Sequence, residues 1–162
     1  MESSEKILDA LNNAKIKYEY YTHAPVTDVL DRYPMNLAFD ACVCKNLLIT
    51  TRNEARFLLC MLPAEKEADL KAMRDHFLTS RLCFASCDAL SRLLDQKPGS
   101  VGVLSVINDD SEKVEIVLDS SLKDAPRIAM HPGVTTETVV MSGSDLARFI
   151  NENGRTLHYY DF

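Results

Sequence analysis

Apolar positions along this chain switch between a period near 3.6 and a period near two, and each switch predicts a new element. In SSEKILDALNNAKI, the residues Ile7, Leu8, Leu11 and Ala14 fall on one face of a helix that Ser3 or Ser4 can cap. Runs rich in Val, Ile, Leu and aromatics then predict strands: YEYY from Tyr18, VCKNLLIT from Val43 and ARFLLCML from Ala55. The last two read as a hairpin turning at Arg52-Asn53-Glu54.

Further on, EKEADLKAMRDHF from Glu65 places Leu70, Met73 and Phe77 at helical spacing. After a strand in RLCFA, Ser86 can cap the helix CDALSRLLD, and Lys97-Pro98-Gly99-Ser100 breaks the chain. Strands are expected in VGVLSVIN, VEIVLD, RIAM and ETVVM, before a helix DLARFINEN that ends at Gly154. Roughly eight short strands and four helices, with no linker or repeat between them, indicate one mixed α/β (α+β) domain over residues 1–162 with a sheet-based core.

Composition narrows the function classes. With 46% apolar residues in 162, the chain can bury one substantial core. It has no apolar signal region and no run long enough to cross a bilayer, so a cytoplasmic protein is expected. A net charge of −6 argues against wrapping nucleic acid by charge alone, though a small basic patch can still grip a few phosphates. Five cysteines, an odd number without a secretory signal, point to reduced thiols. Cys42 and Cys44 share one strand face and, with His23 or His131, could supply zinc ligands, but no second spaced pair accompanies them. Neither a metal nor an organic cofactor is expected. Cys83 and Cys87, flanking a strand and a helix start, read as core residues.

Three segments stand out as carriers of chemistry: CKNLLIT, with Lys45 and Asn46 at the start of an apolar strand; PGSVGVLSVIND, a glycine-containing loop; and MHPGVTTETV, which sets His131 between apolar runs. Taken alone, Lys45 is a solvated strand-end charge, Gly99 a turn residue and His131 a hydrogen-bonded structural histidine. His23, in YTHAPVTD, leads from the first strand toward a helix that Thr27 can cap, and this segment is a candidate pocket wall. His76 and His158 fall in helix and tail contexts that suggest surface positions.

The order and spacing of KNLLI, LPAEKEADLKAM, SRLCFAS, LLDQKPGSVGVLSVIND and HPGVTTETV resemble the YbaK and prolyl-tRNA synthetase-associated domain family over nearly the whole chain. Within the family the likeness is to the free-standing ProX (PrdX) type. The resemblance implies a central mixed, barrel-like sheet flanked by helices. It also implies an enzyme that hydrolyses the ester of mischarged tRNA-Pro in trans, typically Ala-tRNA-Pro. The partners it implies are the acceptor 3′ end of an aminoacyl-tRNA and prolyl-tRNA synthetase, with no membrane and no DNA.

Carried over position by position, Lys45 would hold the terminal adenosine or a nearby phosphate, as an ammonium suits either set of oxygens. Gly99 would let backbone N–H groups reach the substrate carbonyl, and His131 would line the aminoacyl pocket, positioning the ester rather than serving as an essential base. Asn46, Ser100, Gly102, Val103, Pro132 and Thr135 complete the implied substrate-binding set. Where the family loop commonly runs Gly-Ser-Val-Ser-Pro, this chain has Gly102 and Val103 in place of the serine and proline, and Thr135 stands where the family often has asparagine. These differences bear on specificity, so two other readings stay open: a deacylase for cysteine or serine esters, and a silent tRNA-end or synthetase-binding module. The acidic balance implies a small tRNA footprint with shallow salt dependence.

Overall fold

A computed structural model describes residues 3–25 and 40–162. Helix α1 spans Ser3–Asn13 and strand β1 Glu19–Thr22; β2 (Cys42–Thr51) and β3 (Phe57–Pro63) form the expected hairpin. Helix α2 (Leu70–His76), strand β4 (Leu82–Phe84) and helix α3 (Cys87–Leu94) follow, then a 3-10 segment over Val103–Asn108. Strands β5 (Val114–Asp119), β6 (Ile128–Met130) and β7 (Glu137–Met141) lead to helix α4 (Gly143–Glu152) and strand β8 (Leu157–Tyr160).

The eight strands form one mixed sheet in the order β1-β7-β6-β2-β3-β5-β8, with β4 attached to β2. The sheet is central and mixed, as the resemblance implied, but it is open: β1 and β8 end it instead of pairing to close a barrel. Strand β3 lies at its middle, and every one of its residues is buried. Leu59 and Met61 face a core shared with α1, α3, α4 and the 3-10 segment, whereas Leu58, Cys60 and Leu62 face Met73 of α2 and Leu82 of β4. A continuous apolar run such as FLLCMLP is what burial on both faces demands. No helix among the described residues is long and apolar enough to cross a membrane.

Several local expectations give way to side-chain chemistry. The helix expected from Glu65 starts at Leu70, because the Asp69 carboxylate accepts from the backbone N–H groups of Lys71 and Ala72 and fixes the cap there. The strand expected in VGVLSVIN is a 3-10 segment in which Ser105 N–H bonds to Gly102 O at 3.0 Å. Consecutive Val103 and Leu104 are both buried, which a strand with one face on the core could not achieve. The tail around His158 is strand β8, parallel to β5, and His158 is half-buried with Nε2 2.8 Å from Glu115 Oε1. Cys83 and Cys87 are exposed rather than in the core. Ser86 caps α3 as read from sequence, accepting from Ala89 N–H at 3.1 Å. Thr27 lies outside the described residues.

Candidate active site

The site grows out of the way β2 is paired. One edge of β2 is zipped to β3 from Cys44 to Thr50. The other edge meets β6 only at Cys42 and Val43, and β4 only from Ile49 to Thr51, with one more bond from Ala85 N–H to Leu48 O. Among the described strands, none pairs with the stretch between. A narrow pocket of about 20 Å³, the room of a single water, occupies this opening. Val43, Cys44 and Asn46 of β2 line it, together with Ala129, Met130 and His131 from β6 and its exit and Thr138 of β7.

Alternation along β2 sends neighbouring side chains to opposite faces. Cys44 and Leu48 join the core shared with α1, and Asn46 lies between them in that alternation. Its Oδ1 is buried and accepts no hydrogen bond from the described protein. A buried acceptor without a donor is destabilising by roughly 1–3 kcal/mol, and none of the described residues supplies one here. Ser105 Oγ and Arg155 Nε are also buried and unpaired, but neither lines the pocket. Lys45 points to the other face, with its side chain 15% exposed and its Nζ 3.5 Å from Glu67 Oε1. Glu67 is 92% exposed, so this counter-ion is easily exchanged for another anion.

The histidines are held by backbone. His131 Nδ1 lies 2.7 Å from Glu137 O, and because a carbonyl only accepts, Nδ1 carries a proton and donates it. His23 stands beside it, with ring centroids 5.9 Å apart. His23 Nδ1 donates to Ala24 O at 2.8 Å, and Nε2 meets the Thr138 hydroxyl at 2.6 Å. Thiol chemistry is disfavoured at this pocket: Cys44 is held well above the ordinary thiol range, first by its hydrogen bond with Cys42 and then by burial.

The glycine loop reaches the pocket through Gly102. A Cβ at this position would stand 3.1 Å from His131 O, so the missing side chain lets the loop lie against the His-Pro segment. Gly99 plays a different part. Lys97-Pro98-Gly99-Ser100 is a turn closed by Ser100 N–H to Lys97 O at 3.1 Å, with proline second and glycine third at φ 93°, the type II signature. Gly99 is exposed and a Cβ there would meet nothing within 4 Å, so backbone conformation, not crowding, selects glycine.

A family model for the aminoacyl-tRNA editing domain matches residues 35–149, a stretch holding the open flank of β2, the glycine loop and the His-Pro segment. The chain belongs to the aminoacyl-tRNA editing domain family. It is accordingly a hydrolase of the ester in mischarged aminoacyl-tRNA. It is also 29% identical, over 96% of its own length and 95% of the relative's, to the prolyl-tRNA editing protein ProX of Acetoanaerobium sticklandii. A crystal structure of a proposed trans-editing enzyme for prolyl tRNA synthetase shares the fold with a TM-score of 0.74 at 14% identity, covering 100% of this chain and 98% of that one. A hypothetical protein of known structure matches at 0.76 and 12%, covering 95% and 97%.

Within this editing domain, the expected site residues separate into groups. Asn46 and His131 line the pocket, and Gly102 abuts His131. Lys45 flanks the opening from the other face. Pro132 is buried beside His131, Thr135 is half-buried, and Val103 packs into the core. Ser100 turns back on Lys97 O through its hydroxyl at 3.0 Å. Sequence reasoning passed over Thr138, whose hydroxyl is the buried partner of His23. Its signal was the alternation in ETVVM, where a threonine takes an inward position.

Proposed function

We propose that this editing domain is a free-standing deacylase of mischarged tRNA-Pro, acting in trans to prolyl-tRNA synthetase, with Ala-tRNA-Pro as its principal substrate. The observation that carries the reading is the buried Asn46 Oδ1, which accepts no hydrogen bond from the described residues, at a pocket of about 20 Å³: room for one water-sized group suits the methyl of an alanyl ester and not the ring of proline, with Asn46 as an acceptor beside it. The ProX relative supports tRNA-Pro as the carrier.

The chemistry follows from selectivity. A synthetase pocket shaped for proline rejects a smaller amino acid weakly, because missing methylenes are worth only about 1–3 kcal/mol. A second, smaller pocket can admit alanine and exclude proline by size. In this reading the Lys45 ammonium exchanges Glu67 for a phosphate or ribose oxygen of the terminal adenosine, Asn46 Oδ1 accepts a hydrogen bond from the α-ammonium, and His131 walls the aminoacyl group. In the same reading, backbone N–H groups of residues 101–103, where Gly102 lies against His131, face the developing oxyanion. The ester is already reactive, so orientation and a few donors suffice.

The test is a deacylation panel of tRNA-Pro charged with alanine, cysteine, serine or proline. Fast loss of the alanyl ester and sparing of the prolyl ester supports the proposal. Preference for cysteine or serine reassigns the pocket, and no turnover on any ester leaves a binding module.

A further inference from the structure

We infer that Arg52, Lys71, Arg74 and Arg81 form the docking surface for the duplex acceptor stem of the substrate tRNA, an inference that rests on the deacylase reading above. The chain carries 24 acidic against 18 basic residues, so four cations gathered around one depression stand out. A cleft of about 470 Å³ is lined by Lys71 and Arg74 of α2 with Arg81, and an adjoining one of about 160 Å³ by Arg52, Arg81 and Cys83. Arg81 is common to both, which makes them one continuous basic rim.

Clustering, added to the lack of counter-ions, sets this rim apart: Lys6, Lys17, Lys113 and Lys123 also form no ion pair with a described carboxylate, but they line neither cleft. Arg56, Lys66, Arg92, Arg127 and Arg148 each hold a carboxylate. Arg52, Lys71 and Arg81 are exposed and form no ion pair with a described carboxylate, and Arg74 pairs only with its neighbour Asp75. Exposed guanidinium groups without counter-ions are suited to phosphate oxygens.

Position supplies the second argument. Strand β4 and β6 lie on the same edge of β2, so the rim and the pocket stand at the two ends of one open flank. Arg52 follows Thr51, and Thr51 pairs with Leu82, next to Arg81. Five residue steps separate Asn46 from Thr51, roughly 17 Å at strand rise. An unpaired 3′ end entering the pocket would span that distance before the duplex begins. Phe84, 60% exposed and opposite Ile49, stands on the Lys45 face of the sheet and offers a ring on which an unpaired base can stack before the 3′ end crosses the edge to the pocket.

The experiment compares three proteins: wild type; a rim variant carrying Arg52→Gln, Lys71→Gln, Arg74→Gln and Arg81→Gln; and a control with Lys6→Gln, Lys17→Gln, Lys113→Gln and Lys123→Gln, an equal charge change elsewhere. Binding of uncharged tRNA-Pro is followed by fluorescence anisotropy across a salt series. The rim variant should lose about 3.6 from the slope of log K against log salt, at about 0.9 for each of four phosphate contacts, and the control should keep it. With Ala-tRNA-Pro the rim variant should lose roughly 30-fold in kcat/KM, carried by KM, yet hydrolyse an alanyl ester of a CCA trinucleotide as wild type does. That short ester also shows the variant to be folded. Equal losses in rim and control variants, or a rim variant with wild-type slope and KM, would overturn the inference. Rim-dependent tRNA binding without hydrolysis of any ester would support the docking surface and reject the deacylase reading instead.

Discussion

Asp119 at the end of β5 and Asn46 on β2 both bury side-chain oxygens within the same sheet, and they differ in what surrounds them. The Asp119 carboxylate is fully buried and accepts from Ser121 N–H at 3.2 Å, Lys66 Nζ at 3.1 Å, Phe162 N–H at 3.1 Å and the Ser121 hydroxyl. Burial alone would raise its pKa, but the bonds from Ser121, Lys66 and Phe162 outweigh it and hold the group below the usual carboxylate range. Asn46 Oδ1 has no such partner among the described residues. Described residues complete the first site and not the second, so the first is read as structure and the second, under the proposed function, as a place for substrate.

Mutation should separate the two. Replacing Asp119 by Ala removes the buried acceptor of Ser121 N–H, Phe162 N–H and Lys66 and is expected to destabilise by about 1–3 kcal/mol, seen as a lower urea midpoint. Activity at temperatures where the variant stays folded should persist. Lys45→Ala is expected to do the reverse, lowering kcat/KM on Ala-tRNA-Pro by about 100-fold with an unchanged midpoint, since its partner Glu67 lies in solvent.

Glu115 extends the comparison to pH. Burial raises its pKa, yet hydrogen bonds from Arg56 and His158 prevail and lower it. A carboxylate whose folded pKa is depressed contributes stability that is present above the unfolded value and lost as pH falls through the folded one. Urea midpoints should therefore fall below about pH 4, and Glu115→Gln should reduce that slope. Smallest is Gly102→Ala: its φ of −150° suits any residue, but the new Cβ would press His131 O at 3.1 Å. A shift of a few tenths of an ångström should reduce alanyl-ester hydrolysis about threefold while leaving stability nearly unchanged.

Much of this was legible in the sequence where local chemistry decides. The β2–β3 hairpin, the Ser86 cap and the turn at Pro98-Gly99 follow from residues adjacent in the chain. What escaped depends on distant partners. The 3-10 segment at Val103 forms because the core shared with α1 and α3 takes Val103 and Leu104 together, and LHYY becomes β8 because β5 offers it a parallel edge. The candidate site divided in the same way. Lys45, Asn46 and His131 were marked by their motifs, but the opening in β2 pairing that brings Asn46 and His131 together is a property of sheet order. Thr138 and the basic rim at Arg81 were invisible for the same reason.

The most direct test of the contrast between a completed and an uncompleted polar site is Asn46→Leu, with urea denaturation and Ala-tRNA-Pro hydrolysis measured on one preparation. Removing an acceptor that no described residue satisfies should leave the unfolding midpoint unchanged or raise it, while most of the hydrolysis is lost. A lower midpoint with hydrolysis intact would show that Asn46 serves the fold, and would contradict the account.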